Sequence, residues 1–175
     1  IYTIVQAILI FGMPQSLLYY FPRKETHEHP LLIKQTWTIL LFSSLMVMAI
    51  FWLSSQIIGT HHLKEYLVLL GIYTSLMIFV MPIQNLLTLE GKISTAMWLM
   101  VFFTIIDLAV LPSAAWLNPT TLGIVHGIIV AALLKAIMVL FHVYTTYFTK
   151  EISGNSYIKE QLALSLIHIS EPTRR

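Results

Sequence analysis

Residues Leu122–Phe148 read LGIVHGIIVAALLKAIMVLFHVYTTYF. The run contains no acidic residue and only one Lys or Arg, Lys135, near its middle. A helix needs about 20 apolar residues to cross the ~30 Å hydrocarbon core of a bilayer, so this stretch is long enough to span. Four more stretches have the same character: Ile1–Phe21, Trp37–Ile58, Tyr66–Leu89 and Ile93–Leu117. Each is a continuous apolar run rather than the alternating segments of about ten residues that make a membrane β-barrel. The expected fold is all-α: a polytopic, up-and-down transmembrane bundle of five spans, at about 1–21, 37–58, 66–89, 93–117 and 122–148.

Composition agrees. The 175 residues are 57% hydrophobic and 10% charged, with a mean hydropathy of +0.80. Soluble domains carry about 25% charged residues. The chain has no cysteine, hence no disulfide and no thiolate metal site. The net charge of +2 is spread over short loops, and no basic block points to nucleic acid. No separate soluble domain is visible. The polar segment Ser153–Ala163 is a candidate start for a further cytoplasmic helix.

Orientation follows from the basic residues. Loop 22–35 holds Arg23, Lys24 and Lys34, the third loop (90–92) holds Lys92, and the segment after 149 holds Lys150 and Lys159. The second loop holds Lys64 alone, and Asn118–Thr121 holds none. The positive-inside rule places the first group in the cytoplasm; the expected localisation is multi-pass in the cell inner (plasma) membrane. The first span then enters from outside, so an earlier span is expected before it.

Sixteen of the eighteen formal charges lie between or beyond the spans. Asp107 and Lys135 lie inside them. A charge at mid-membrane costs about 2.5–3.5 kcal/mol on insertion scales and is kept where something compensates it. The two spans form a hairpin that turns near Pro119. Asp107 lies twelve residues before the turn and Lys135 sixteen after it, a depth difference of roughly 6 Å that a Lys side chain can cover. Three readings stand open: an ion pair that locks two helices together, a cavity site for an anionic substrate or a cycling proton, and a lipid-facing Lys135 that snorkels.

Further polar residues lie within or beside the spans. His142 is seven residues after Lys135, on the same helix face, and the two would form a basic stripe suited to a phosphate or pyrophosphate. His126 reads as a structural hydrogen-bonder. Pro82, Gln84 and Asn85 form a polar kink in the third span, satisfied by its own neighbours or lining a cavity. Pro14, Gln15 and Ser16 form a similar one in the first. His27 and His29 lie across the bilayer from His61 and His62, and neither pair brings a third ligand at zinc-site spacing. No metal or other cofactor is expected. No Gly-rich phosphate loop, HExxH or GxSxG is present, so an enzyme of soluble type is not expected.

At Ser16–Arg23 the chain reads SLLYYFPR, and at Leu89–Lys92 it reads LEGK, each leading into an apolar span. These resemble the second-to-third and fourth-to-fifth span junctions of the polysaccharide flippases, the O-antigen and exopolysaccharide exporters of the multidrug/oligosaccharidyl-lipid/polysaccharide transporter superfamily. The resemblance covers most of residues 1–160 and implies that the five spans are helices two to six, part of the first of two lobes. It further implies alternating access, a lipid-linked oligosaccharide of undecaprenyl-pyrophosphate type as substrate, cationic lumen residues and proton or sodium coupling. Pro22 and Arg23 alone match a recurrent position, which implies a structural or interfacial role at the cytoplasmic side. The lumen candidates Lys135, His142, Asp107, Gln84 and Asn85 come from the physical reading, not from the family. Helix one and the second lobe are missing from the pattern, so transport is expected only of a longer protein. Two alternatives are a drug/cation antiporter of the same superfamily, with Asp107 as coupling carboxylate, and a polytopic membrane enzyme of polysaccharide assembly. The short outer loops speak against the enzyme.

The run LSLIHISEPTR at Leu164–Arg174 resembles the in-frame translation of a transposase-type sequencing adapter. Residues 164–175 are therefore set apart as an expected non-biological tail, and the bundle is assigned to 1–163.

Overall fold

The computed structural model describes residues 13–23, 28–57 and 61–148. The first half of the 1–21 span, Lys24, His27 and everything from Thr149 onward, including Ser153–Ala163 and Leu164–Arg174, lie outside them. The elements are α1 (Met13–Tyr20), a 3-10 turn (Phe21–Arg23), α2 (His29–Ile57), α3 (His61–Leu89), α4 (Ile93–Leu117), α5 (Thr121–Val143) and a π-helical turn (Tyr144–Phe148). No strand occurs among the described residues.

Four of these helices are long and apolar enough to cross a membrane, not the five expected: His29–Ile57, Leu63–Leu89, Ile93–Leu117 and Thr121–Phe148. Of the remaining expected span, only α1 and Phe21 of the 3-10 turn are described. α2 starts at His29, eight residues before the expected Trp37. Pro30 sits in its first turn, where a missing N–H costs no helical bond, and Leu32 N donates to Glu28 O at 3.1 Å. The loop expected over 22–35 is correspondingly short.

α3 is the hub. It forms a hairpin with α2 and also packs on α5, with lighter contact to α1 and α4. Its Ile78, Ile83, Leu86 and Leu87 are buried against Leu32, Leu40 and Val47 of α2 and Val139 and Val143 of α5. In lipid, apolar side chains gain little by leaving their solvent, so helices associate through close packing and interhelical hydrogen bonds. The α2–α3 hairpin shows both. A Cβ added at Gly71 would lie 2.7 Å from Phe51 Cβ. One turn on, the Ser75 hydroxyl donates to Ser44 O at 3.0 Å in the buried interface.

α4 is the most exposed span. It packs mainly on α5 and presents Met97, Phe102, Leu108 and Trp116 outward. A helix that presents large apolar side chains over most of its surface suits a lipid environment.

Candidate functional site

Two local devices set the α4–α5 hairpin. At its entry, Gly91 N donates to Thr88 O at 3.0 Å and Lys92 N to Leu87 O at 2.9 Å. These are the paired bonds of a Schellman stop, and Gly91 supplies the left-handed residue it needs, with φ +73°. α4 follows at once. At its far end, the Thr120 hydroxyl accepts from Gly123 N at 3.1 Å, an N-cap that starts α5.

The hairpin closes on small residues. A Cβ at Gly127 would lie 2.5 Å from Ala114 Cβ, and one at Gly123 would collide with Asn118 O. Gly123, Gly127 and Ala131 are spaced by four and all buried. This is the small-xxx-small pattern that lets membrane helices touch backbone to backbone. It also fixes the register. Seven residues back from Ala114 is Asp107, and eight residues on from Gly127 is Lys135. The two therefore differ in depth by about one residue, or ~1.5 Å, rather than the roughly 6 Å expected from a turn centred at Pro119.

The pair is formed. Lys135 Nζ donates to Asp107 Oδ1 and Oδ2, both at 2.6 Å. It also stands 5.8 Å from the centre of the Phe103 ring. The two partners differ in access: the Lys135 side chain is 11% exposed and that of Asp107 42%. Both line a cleft of about 360 Å³ between α3, α4 and α5, walled by Met77, Met81, Met100 and Phe103. An ammonium has three N–H donors, and two are spent on the carboxylate. The third, and the open side of Asp107, remain for an anion, a cation or a proton entering the cleft.

The other sequence candidates distribute as follows. Gln84 is exposed and lines the same cleft. Asn85, one residue further round α3, is half-buried and does not line it. Pro82 is buried within a continuous α3. His142 does not line the cleft. It lies two turns away, beside Glu90 and Lys92 of the α3–α4 turn, where Lys92 Nζ meets Glu90 Oε2 at 2.8 Å and Tyr147 faces the same carboxylate. His142 Nε2 is buried there without a hydrogen-bond partner among the described residues. Lys135 and His142 thus belong to separate polar groups, one at mid-span and one at the helix end. Arg23 stacks over the Tyr19 ring at 3.4 Å from its centre, and His29 Nε2 donates to Phe21 O at 3.0 Å. His126 Nδ1 donates to Leu122 O at 2.9 Å within its own helix.

The glycine contacts and the methionine wall of the cleft did not figure in the sequence reading. The first had a signal, the spacing of Gly123 and Gly127. The second had none, because three Met residues among apolar neighbours carry no mark of which way they face.

Comparison with known proteins returns no match to a family model, to a curated protein or to a solved structure.

Proposed function

We propose that this chain is part of the first lobe of an inner-membrane polysaccharide flippase, which moves lipid-linked oligosaccharide of the undecaprenyl-pyrophosphate type by alternating access. The observation that carries the reading is the Asp107–Lys135 pair lining an intramembrane cleft. A pair serving only to lock two helices gains nothing from access, yet the Asp107 side chain is 42% exposed. The SLLYYFPR and LEGK resemblances and the basic residues of loops 22–35, 90–92 and after 149 support the same reading, with those loops in the cytoplasm.

On this account Lys135 is the cation that meets a phosphate oxygen, Asp107 holds it in position, and Gln84 adds an amide to the cleft wall. A phosphate competes with the carboxylate for the ammonium. As Lys135 turns to the phosphate, Asp107 gives up its two bonds to the ammonium and faces the open cleft. The methionines are flexible and adapt to a bulky, variable sugar chain.

The test is made in the full-length transporter containing these helices. Lys135→Ala should abolish surface polysaccharide while the protein stays in the membrane, and Lys135→Arg should retain part of it. Normal polysaccharide output from Lys135→Ala would overturn the reading. A second reading, a cation antiporter with Asp107 as the coupling group, is favoured by the greater exposure of Asp107 relative to Lys135. It predicts that Asp107→Asn abolishes proton-driven export of a cationic dye, and a flippase predicts no such export at all.

A further inference from the structure

A second cleft lies on the opposite side of α5 and serves none of the roles above. It has a volume of about 530 Å³ and is walled by Trp37 and Leu41 of α2, Phe79 of α3, and Ile137, Phe141 and Phe148 on or just beyond α5. Apolar ligand pockets run to about 300–1,000 Å³, so its size is that of a ligand site. Its walls are almost wholly hydrocarbon and aromatic.

Its position along the helices matters more than its size. One end is marked by Phe148 and by Lys34, whose Nζ stands 5.2 Å from the centre of the Phe148 ring. Lys34 is half-buried, and no carboxylate pairs with it among the described residues. Counting from Lys34 to Ile57, α2 runs for twenty-three residues, about 34 Å, which matches the hydrocarbon thickness and sets Lys34 at the membrane–water interface. From Phe148 back to Ile137 is eleven residues, about 16 Å, or close to the half-thickness of the core. The groove thus runs from the headgroup level to the bilayer midplane, with a cation at the headgroup end that pairs with no carboxylate among the described residues.

We infer that this groove is a binding site for one acyl chain of an anionic glycerophospholipid, whose phosphate is held by Lys34. Charge complementarity selects this occupant. A helix from another chain would fill the groove but leave Lys34 without an anion, and a zwitterionic lipid would bring its own cation to the same place. The Phe148 ring holds Lys34 over the groove mouth through its π-face, and basic side chains at this level attract anionic headgroups. The inference is independent of the flippase reading, because it uses neither Asp107 nor Lys135.

The experiment takes the whole protein, reconstituted in nanodiscs of equimolar dioleoylphosphatidylcholine and dioleoylphosphatidylglycerol, and measures by mass spectrometry the lipids retained after mild extraction. The wild type should retain phosphatidylglycerol over phosphatidylcholine at about five times their bulk ratio, which corresponds to one lysine–headgroup contact of about 1 kcal/mol. Lys34→Gln should return the ratio to the bulk value, with unfolding temperature unchanged, and Lys34→Arg should keep the enrichment. Thr38→Trp leaves the cation in place but fills the groove that Thr38 lines, and it should also lose the enrichment. Three results overturn the proposal: no enrichment in the wild type, enrichment that survives Lys34→Gln, or enrichment that survives Thr38→Trp. The last would mean surface attraction of headgroups with no chain in the groove.

Discussion

Gly127 stands so close to Ala114 that a Cβ on the glycine would lie 2.5 Å from the alanine Cβ. Two turns deeper, Lys135 bonds both carboxylate oxygens of Asp107 at 2.6 Å. The first contact sets the second, because it fixes the spacing and the register of α4 and α5. Gly127→Leu should therefore push the helices apart and stretch the ion pair. An overpacked core costs about 1–3 kcal/mol, and the charged pair adds to it when separated. Thermal unfolding in detergent should show the loss. Crosslinking of cysteines placed at 107 and 135 in the Gly127→Leu background should fall relative to the same pair with Gly127 intact.

The ion pair should behave as a unit. Lys135→Met alone leaves Asp107 uncompensated near mid-membrane, at a cost of about 2.5–3.5 kcal/mol. Adding Asp107→Leu should recover most of that stability, since replacing a buried pair with apolar side chains is often neutral or favourable. The coupling is read from a double-mutant cycle of unfolding free energies, and equal, additive losses would contradict a formed pair.

The α3–α4 turn offers a purely backbone test. Gly91 has φ +73°, and nothing lies within 4 Å of where its Cβ would be. Gly91→Ala should thus cost about 1–2 kcal/mol through conformation alone. An unchanged unfolding curve would mean the turn does not hold this shape.

In the α2–α3 hairpin, Ser75→Ala removes the bond to Ser44 O. Interhelical bonds of this kind average about 0.6 kcal/mol in membranes, so the variant should be mildly destabilised. Gly71→Val, which meets Phe51 at the same interface, should be far worse.

The proposed orientation is open to labelling, because the chain has no native cysteine. In intact cells an impermeant maleimide should modify Lys64→Cys and spare Lys92→Cys until the membrane is opened. The reverse pattern would invert the assignment.

The sequence was most informative where physics acts through composition. The ends of α4, Ile93 and Leu117, coincide with the expected span, because Glu90–Lys92 on one side and Asn118–Pro119 on the other flank a run that is apolar but for a few residues. It was less informative for α2. His29, Pro30 and Lys34 look like loop by polarity, yet they form helix, since Pro fits a first turn and Lys34 reaches an aromatic ring. The pairing of Asp107 with Lys135 was visible as one of three readings, and the choice among them needed the rotation of each helix about its axis. Hydropathy does not encode that rotation. Small residues at four-residue spacing encode part of it, and Gly123 and Gly127 point to the face that meets α4. The stripe expected from Lys135 to His142 illustrates the same gap. A seven-residue spacing places two side chains on one side of a helix, but the neighbouring helices divide that side, and Glu90 and Lys92 lie beside His142 while the cleft ends above it.

The central claim is that Lys135 is kept for its charge in the cleft and not only to neutralise Asp107. The Lys135→Met, Asp107→Leu double variant separates the two roles, because it restores an apolar, packed interface without a cation. Placed in the proposed full-length flippase and expressed in a strain lacking its own copy, it should reach the membrane at wild-type abundance and yield no surface polysaccharide. Wild-type polysaccharide from that variant would contradict the account and leave the pair as a structural lock.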